Sequence, residues 1–191
     1  RGHPWEQNRP VCSYLRRSDA IRTEDRQSPY SVGSVNLADP GQLRPFLDRY
    51  GYAPNKSLGQ HFLVSQKAVD KIVIASNGLE GILEVGPGPG VLTQRLCESA
   101  QVVAIDLDVR SIDALAESAP MADARCLDAL TTDLTQVLVG LPEPRGIVSN
   151  MPYNITGPLL ARFAALRSHV AKLVLMMQRE VAEKILAKPG D

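Results

Sequence analysis

From about residue 40 onward, apolar positions alternate between a helical rhythm and short continuous runs. Leu43, Phe46 and Leu47 fall on one side of a short helix predicted from Leu43 to Tyr50, which Gly51 and Pro54 end. Ser65 is placed to cap a second helix, in which Ala68, Val69, Ile72 and Val73 recur at helical spacing before Gly78 stops it. Gly81-Ile82-Leu83-Glu84-Val85 reads as a buried strand, Gly86-Pro87-Gly88-Pro89-Gly90 as a turn, and Val91 onward as a helix. Val102–Ile105 is a second strand ending at Asp106, followed by a helix near Val109 that carries Ile112 and Leu115. Ala124–Leu127 is a shorter third strand ending at Asp128. After the linker Leu141-Pro142-Glu143-Pro144, the run Ile147-Val148-Ser149 is a fourth strand that delivers Asn150. A helix from Thr156 turns Leu159, Leu160 and Phe163 inward, and Pro158 suits its first turn. Leu173–Met177 is a fifth strand, with Met176 and Met177 read as core, and Gln178 opens a last helix expected to turn Val181, Ile185 and Leu186 toward the core. Strands that alternate with helices predict an α/β, Rossmann-like, doubly wound and mostly parallel sheet with right-handed crossovers. No internal repeat is visible.

Composition narrows this picture only a little. The chain has 191 residues and 44% apolar content, which fits one globular domain with a tail. Residues 1–40, rich in Arg, Ser, Asp, Asn and Pro without an apolar period, are expected to be a disordered leader. Their Arg and Ser suit a transit peptide, but five acidic residues argue against one. Residues 41–191 are expected to form the folded domain. Net charge is zero, so the total does not advertise a nucleic-acid binder. Yet residues 80–150 hold 11 Asp and Glu against 4 Lys and Arg, while both flanks are basic. Acidic strand ends suit a cationic cofactor and basic flanks suit phosphates; mixed solvated faces explain the same counts.

The three cysteines, Cys12, Cys97 and Cys126, and the three histidines, His3, His61 and His169, are dispersed, so neither a disulfide framework nor a metal site is expected. No stretch has the length and apolarity of a membrane span or signal peptide, and a cytoplasmic protein without membrane partners is expected. The sequence starts at Arg1, not Met, so a processed or incomplete start is expected.

The candidate chemistry lies where the strands end. A strand, a glycine turn and a helix open the nucleotide-binding half of doubly wound sheets. Gly86 and Gly88 let the backbone approach a ligand closely. The glycines fall at G-x-G-x-G, however, and Pro87 and Pro89 remove two N–H donors, so a pyrophosphate would be poorly cradled. The turn better suits a cofactor without phosphates, and Glu84 adds negative charge beside it. Asp106 lies twenty residues past Gly86, where an acidic residue accepts ribose hydroxyls; Asp108 competes for this role or caps the next helix. Asp128 can accept from an adenine amino group or cap a turn.

Asn150-Met151-Pro152-Tyr153 reads either as a turn after a buried strand or as a pocket for a flat base. Asn150 offers an amide, Pro152 a rigid turn with outward carbonyls, and Tyr153 an aromatic face. Gly86, Asp106, Asp128 and Asn150 all stand at carboxyl ends of successive strands, where open α/β sheets bind ligands. That alignment favours the pocket.

With these motifs in order, residues from about Lys56 to Lys188 resemble the KsgA-type small-subunit rRNA adenine N6,N6-dimethyltransferases. The resemblance rests on Leu58-Gly59-Gln60-His61-Phe62-Leu63, Glu84–Thr93, Asn150–Ile155 and Gln178-Arg179-Glu180-Val181-Ala182. It implies S-adenosylmethionine as cofactor and two methyl groups transferred to each of two adjacent adenosines. It implies that His61 and Leu63 contact the methionine end, that Gly86 lines the cofactor, and that Asp106 holds the ribose. It implies further that Asp128 holds the adenine and that Asn150 touches both cofactor and target. His61 stands where asparagine is common, Asp106 where glutamate is usual, and Met151 where leucine is usual. The family continues with further strands and a small helical domain that helps hold rRNA. The chain is therefore expected to be C-terminally incomplete, with Leu173–Met177 at an unprotected apolar edge.

The expected reaction is attack by N6 of an extruded adenine on the sulfonium methyl. Asn150 and the Pro152 carbonyl accept the amine hydrogens, Tyr153 stacks on the base, and alignment and electrostatics carry the rate. The expected partner is small-subunit rRNA or a pre-small-subunit particle, and the expected state is a monomer. Rival readings are an Erm-like large-subunit rRNA methyltransferase, a non-catalytic rRNA-binding assembly factor and, disfavoured by Pro87 and Pro89, a nicotinamide oxidoreductase.

Overall fold

A computed structural model describes residues 36–52 and 65–187. The expected leader up to residue 35, Pro54, and the whole Leu58–Leu63 motif with His61 and Leu63 lie outside the described residues. Leu37, before the boundary expected from sequence, is fully buried, and Asp39 caps α1 (Pro40–Arg49) by accepting from the Gly41 amide. Leu43, Phe46 and Leu47 are the buried side of α1, and Gly51 follows its C-cap with φ +59°. Ser65 caps α2 (Gln66–Ser76) by accepting from the Ala68 amide.

Five parallel strands then form one sheet: β1 (Gly81–Val85), β2 (Gln101–Asp106), β3 (Asp123–Cys126), β4 (Arg145–Asn150) and β5 (Lys172–Met176). Their order is β3-β2-β1-β4-β5, so the chain reverses direction across the sheet between β1 and β4. The first three strands grow one way from β1, and the last two grow the other way. This is the doubly wound arrangement that the alternating pattern predicts. β3 and β5 each begin one residue earlier than expected from sequence.

Side chains alternate across β1. Ile82 joins an apolar cluster with Phe46, Ile72, Leu96 and Leu115, whereas Leu83 and Val85 join one with Leu138, Leu159 and Phe163. The first cluster is closed by α1, α2, α3 (Thr93–Leu96) and α4 (Val109–Ser118). The second is closed by α5 (Leu134–Val139) and α6 (Thr156–Ala165). Burying each such Leu, Ile or Phe stabilises the fold by about 1.5–3 kcal/mol, so both faces of the sheet are held. α5 was not expected from sequence. α3 is only one turn long, because Gly90 and the bends after it delay the helix to Thr93.

The last helix, α7 (Arg179–Leu186), starts after Gln178 as expected, but it leaves Ile185 and Leu186 exposed instead of facing the core, because the described sheet ends at β5 and offers α7 no apolar face to cover. β5 is an edge of the described sheet, and Leu173 is partly exposed there. No helix among the described residues is long and apolar enough to cross a membrane.

Candidate active site

The reversal of strand order places the ends of β1 and β4 side by side. Glu84 pairs with Val148 across the two strands, and the Ser149 hydroxyl donates to the Val85 carbonyl at 2.7 Å. The chain leaves β1 through Gly86, with φ +73°, and the turn also needs positive φ at Gly88 (+56°) and Gly90 (+94°). A Cβ on Gly90 would lie 2.4 Å from Ser118 Oγ, so this glycine is fixed by packing as well as by its dihedral. A Cβ on Gly86 would instead meet Pro152 Cγ at 3.7 Å and the Asn150 carbonyl oxygen at 3.9 Å. The glycine turn and the Asn150–Tyr153 turn are therefore neighbours in space.

Asp106 faces this turn from the end of β2. Its Oδ2 accepts from the Gly88 amide at 3.2 Å and its Oδ1 from the Asp108 amide at 2.9 Å. Burial pushes its carboxyl up from the ordinary range, while these two amides and the Ser111 hydroxyl favour the charged form. Asp108 is committed elsewhere: it caps α4 and pairs with the Arg110 guanidinium at 2.6 Å. The choice left open by sequence thus falls on Asp106 as the residue at the turn. Ser111 also meets the Tyr52 hydroxyl at 2.6 Å, and Arg110 stacks over the Tyr52 ring and donates to the Gly51 carbonyl. The segment leaving α1 is in this way bolted to the Asp106 corner.

Asp128 lies two residues beyond β3. It does cap a turn, with Oδ1 accepting from the Leu130 amide at 2.8 Å, and its second carboxylate oxygen can still accept from a ligand. Arg162 of α6 donates to the Leu130 carbonyl at 2.7 Å and to the Thr132 carbonyl, so the helix after the Asn150 turn clamps the Asp128 loop.

The Asn150 turn is pinned at both ends. The Met151 amide donates to the Met176 carbonyl at 2.9 Å, and the Met151 side chain is buried. Pro152 leads into a 3-10 turn, Tyr153–Ile155, and Tyr153 is 38% exposed. The Thr156 hydroxyl reaches back to the Pro152 carbonyl at 2.8 Å, and the Ile155 amide approaches the same oxygen at 3.4 Å.

Sequence reasoning passed over four participants. Glu84 was read only as local charge. It is completely buried, its Oε2 meets no donor in good hydrogen-bond geometry among the described residues, and burial, partly offset by the nearby Thr93 hydroxyl, pushes its carboxyl up to about 8. Leu107, immediately after Asp106, is 58% exposed, an apolar surface beside a carboxylate. Arg162 and Thr156 looked like ordinary helix residues. Their signals were a basic residue on the inward side of α6 and a hydroxyl four residues after a proline.

A parallel sheet with this strand order, a glycine turn and carboxylates along its crevice define a Rossmann-like α/β protein. The chain belongs to the ribosomal RNA adenine dimethylase family, whose sequence pattern it matches over residues 52–191. It is 38% identical to "Ribosomal RNA small subunit methyltransferase A" of Geobacillus thermodenitrificans over 164 residues, covering 81% of this chain and 56% of the relative. The enzyme of the same name from Brucella canis is 41% identical over 159 residues, covering 78% and 57%. The chain thus spans little more than half the length of the curated relatives it matches. Among solved structures, a dimethyladenosine transferase from Plasmodium falciparum superposes with TM-score 0.57 at 32% identity, covering 69% of this chain and 48% of the other. The 23S rRNA methyltransferase ErmE superposes with TM-score 0.55 at 28% identity, covering 65% and 50%.

Proposed function

We propose that this chain transfers methyl groups from S-adenosylmethionine to N6 of adenosines in small-subunit rRNA, dimethylating two adjacent ones. The observation that supports the reading is the closeness of the Gly86 turn to the Asn150–Tyr153 turn, where a Cβ on Gly86 would lie 3.7 Å from Pro152 Cγ.

The residues fit the cofactor. Pro87 and Pro89 make the turn a poor pyrophosphate cradle, and the crevice is acidic, which suits a cation without phosphates. Asp106 accepts the ribose hydroxyls with the lone pairs that Gly88 and Asp108 do not use. Asp128 accepts from the adenine amino group, and Leu107 offers apolar surface to the purine. Gly86 and Gly88 line the methionine side, and the family resemblance adds His61 and Leu63 as contacts to it. Glu84 carries negative charge toward the same turn when ionised. The cofactor supplies an electrophilic methyl carbon on a sulfonium.

The chain's part in the transfer is alignment. N6 of adenine is a weak nucleophile because its lone pair is delocalised into the ring. Asn150 Oδ1 and the Pro152 carbonyl accept its hydrogens and favour a pyramidal nitrogen with a directed lone pair. Tyr153 stacks on the base after it leaves its helix. Asn150, Pro152 and Tyr153 are thus the catalytic residues.

The partner class is RNA, and the small subunit is favoured by the names of the relatives at 37–41% identity. The likeness to ErmE at 28% identity makes a large-subunit target the second reading. Labelled S-adenosylmethionine with immature small subunits and, separately, with large-subunit particles decides between them. Label mapped to adjacent adenosines of the small subunit is the expected result; label confined to the large subunit, or none, overturns the proposal.

A further inference from the structure

We propose that Glu84 makes this site discriminate between the sulfonium cofactor and its uncharged-sulfur product, by ionising when the cation is bound and holding a proton when it is not. The inference rests on the S-adenosylmethionine reading of the site given above and concerns how that site tells substrate from product.

Glu84 stands beneath the place where the two turns meet. It lies two residues before Gly86, about 7 Å along the strand, and its register partner Val148 lies two residues before Asn150. Side chains alternate along β1, so Glu84 shares the face of Ile82 and meets α3 there, beside the Thr93 hydroxyl.

Its surroundings are those of a carboxylate that lacks a counter-ion. Glu84 is 2% exposed, and its Oε2 meets no donor in good hydrogen-bond geometry among the described residues. None of the salt bridges among the described residues includes it. Arg95, the cation of α3, pairs with Asp70 and Glu98 instead. The groups that face Glu84 are the Thr93 hydroxyl and the Cys97 thiol from α3 and the Asp106 carboxylate from β2. Burial pushes the Cys97 thiol up to about 12, so it stays neutral, while Asp106 repels a second negative charge. An ionised carboxylate buried in such company is costly, and the group keeps its proton: burial raises its carboxyl from 4.5 to about 8.

S-adenosylmethionine brings the cation that this cluster lacks. Its ammonium is shared with the product, but its sulfonium is not. On transfer the N6 lone pair forms the new N–C bond, the methyl C–S bond breaks with its electron pair left on sulfur, and one N6 proton departs to water. The sulfur thereby loses its charge. A positive charge in the crevice lowers the Glu84 carboxyl, and the released proton goes to solvent. Once the sulfur is neutral, Glu84 takes a proton back from solvent. The attraction therefore favours the substrate and fades as product forms. Its sign with pH follows. At low pH Glu84 is protonated with either ligand and the preference for S-adenosylmethionine is flat. The preference grows as pH rises toward about 8, where the ligand-free carboxyl also ionises, and then levels off.

Calorimetric titration of the full chain with S-adenosylmethionine and, separately, with S-adenosylhomocysteine tests this between pH 5.5 and 8.5. The ratio of the two affinities is expected to shift toward S-adenosylmethionine by about threefold to tenfold across that range. Glu84→Gln keeps the shape and cannot ionise, so its ratio is expected to change only as the ligands' own amines titrate, which they do alike in both proteins. A second readout needs no variant. At pH 6.5, where both ligands' amines are protonated, wild-type titrations in imidazole and in PIPES, which differ in ionisation enthalpy, count the protons released. More are expected per S-adenosylmethionine than per S-adenosylhomocysteine bound. A merely structural carboxyl would alter stability without moving either readout. Equal proton release by the two ligands, or parallel affinity ratios in wild type and Glu84→Gln, overturns the proposal and leaves the cofactor reading intact. Failure of the wild-type chain to bind either ligand overturns both.

Discussion

The Gly88 amide donates to Oδ2 of Asp106 across 3.2 Å, joining the turn after β1 to the carboxylate after β2. Asp106 therefore shapes the turn, and in the proposed reading of the site it also meets the ligand. Charge-assisted hydrogen bonds of this kind contribute about 1.5–3 kcal/mol each. Asp106→Ala should weaken S-adenosylhomocysteine binding by at least about tenfold in a calorimetric titration, and wild-type affinity in that variant would remove Asp106 from the site.

Two glycines of the same turn should fail in different ways. Gly90→Ala drives a Cβ to within 2.4 Å of Ser118 Oγ at φ +94°, so it should destabilise the whole fold by about 3 kcal/mol or more. Gly86→Ala has room at 3.7 Å but suffers the strain of φ +73°, about 1–2 kcal/mol. It should remain folded and lose cofactor affinity, because the added methyl enters the gap facing Pro152. Urea unfolding paired with ligand titration distinguishes the two. Equal loss of stability in both variants would contradict the packing described.

Arg162 acts at a distance from the strand ends. Its bonds to the Leu130 and Thr132 carbonyls should make Arg162→Met less stable by about 1–3 kcal/mol. The telling readout is local: amide exchange at Leu130, Thr131 and Thr132 should speed up more than in the β1 core. Uniform acceleration would mean that the clamp on the Asp128 loop is not specific.

Glu84 gives the fold a pH dependence. Its folded carboxyl is raised from 4.5 to about 8, so the folded state holds its proton more tightly than the unfolded chain does. The stabilisation from that proton is fully present below about pH 4.5 and is lost as pH rises to about 8. At ~1.4 kcal/mol per pH unit, the loss approaches ~5 kcal/mol across this window. Glu84→Gln should flatten the curve and be more stable than wild type near pH 8. Urea midpoints at pH 5.5, 7 and 8.5 check this; parallel curves for the two proteins would assign the slope to other groups.

Much of this architecture could be read from the chain because its punctuation is strong. Gly86, Asp106 and Asn150 each close an apolar run, so the strand ends and their alignment followed from pattern alone. The choice between Asp106 and Asp108 did not, since both precede α4; only the Arg110 pairing shows which carboxylate is engaged as a cap. α5 was missed because six residues give too few turns for a period, although Asp133 marks its start. Leu107 was missed because one exposed apolar residue carries no periodic signal. Thr156 and Arg162 act through backbone carbonyls, and sequence does not show which carbonyl a side chain will find.

The bond between Ser149 and Val85 closes a span of 64 residues. Every element from α3 to α5 must form, or at least be threaded, before β4 can dock beside β1. Loop closure of that length delays the pairing. A chain emerging from synthesis therefore completes the crevice between β1 and β4 only late, after β4 has been made. Any ligand that needs both the Gly86 turn and the Asn150 turn rewards the finished fold and not its early stages.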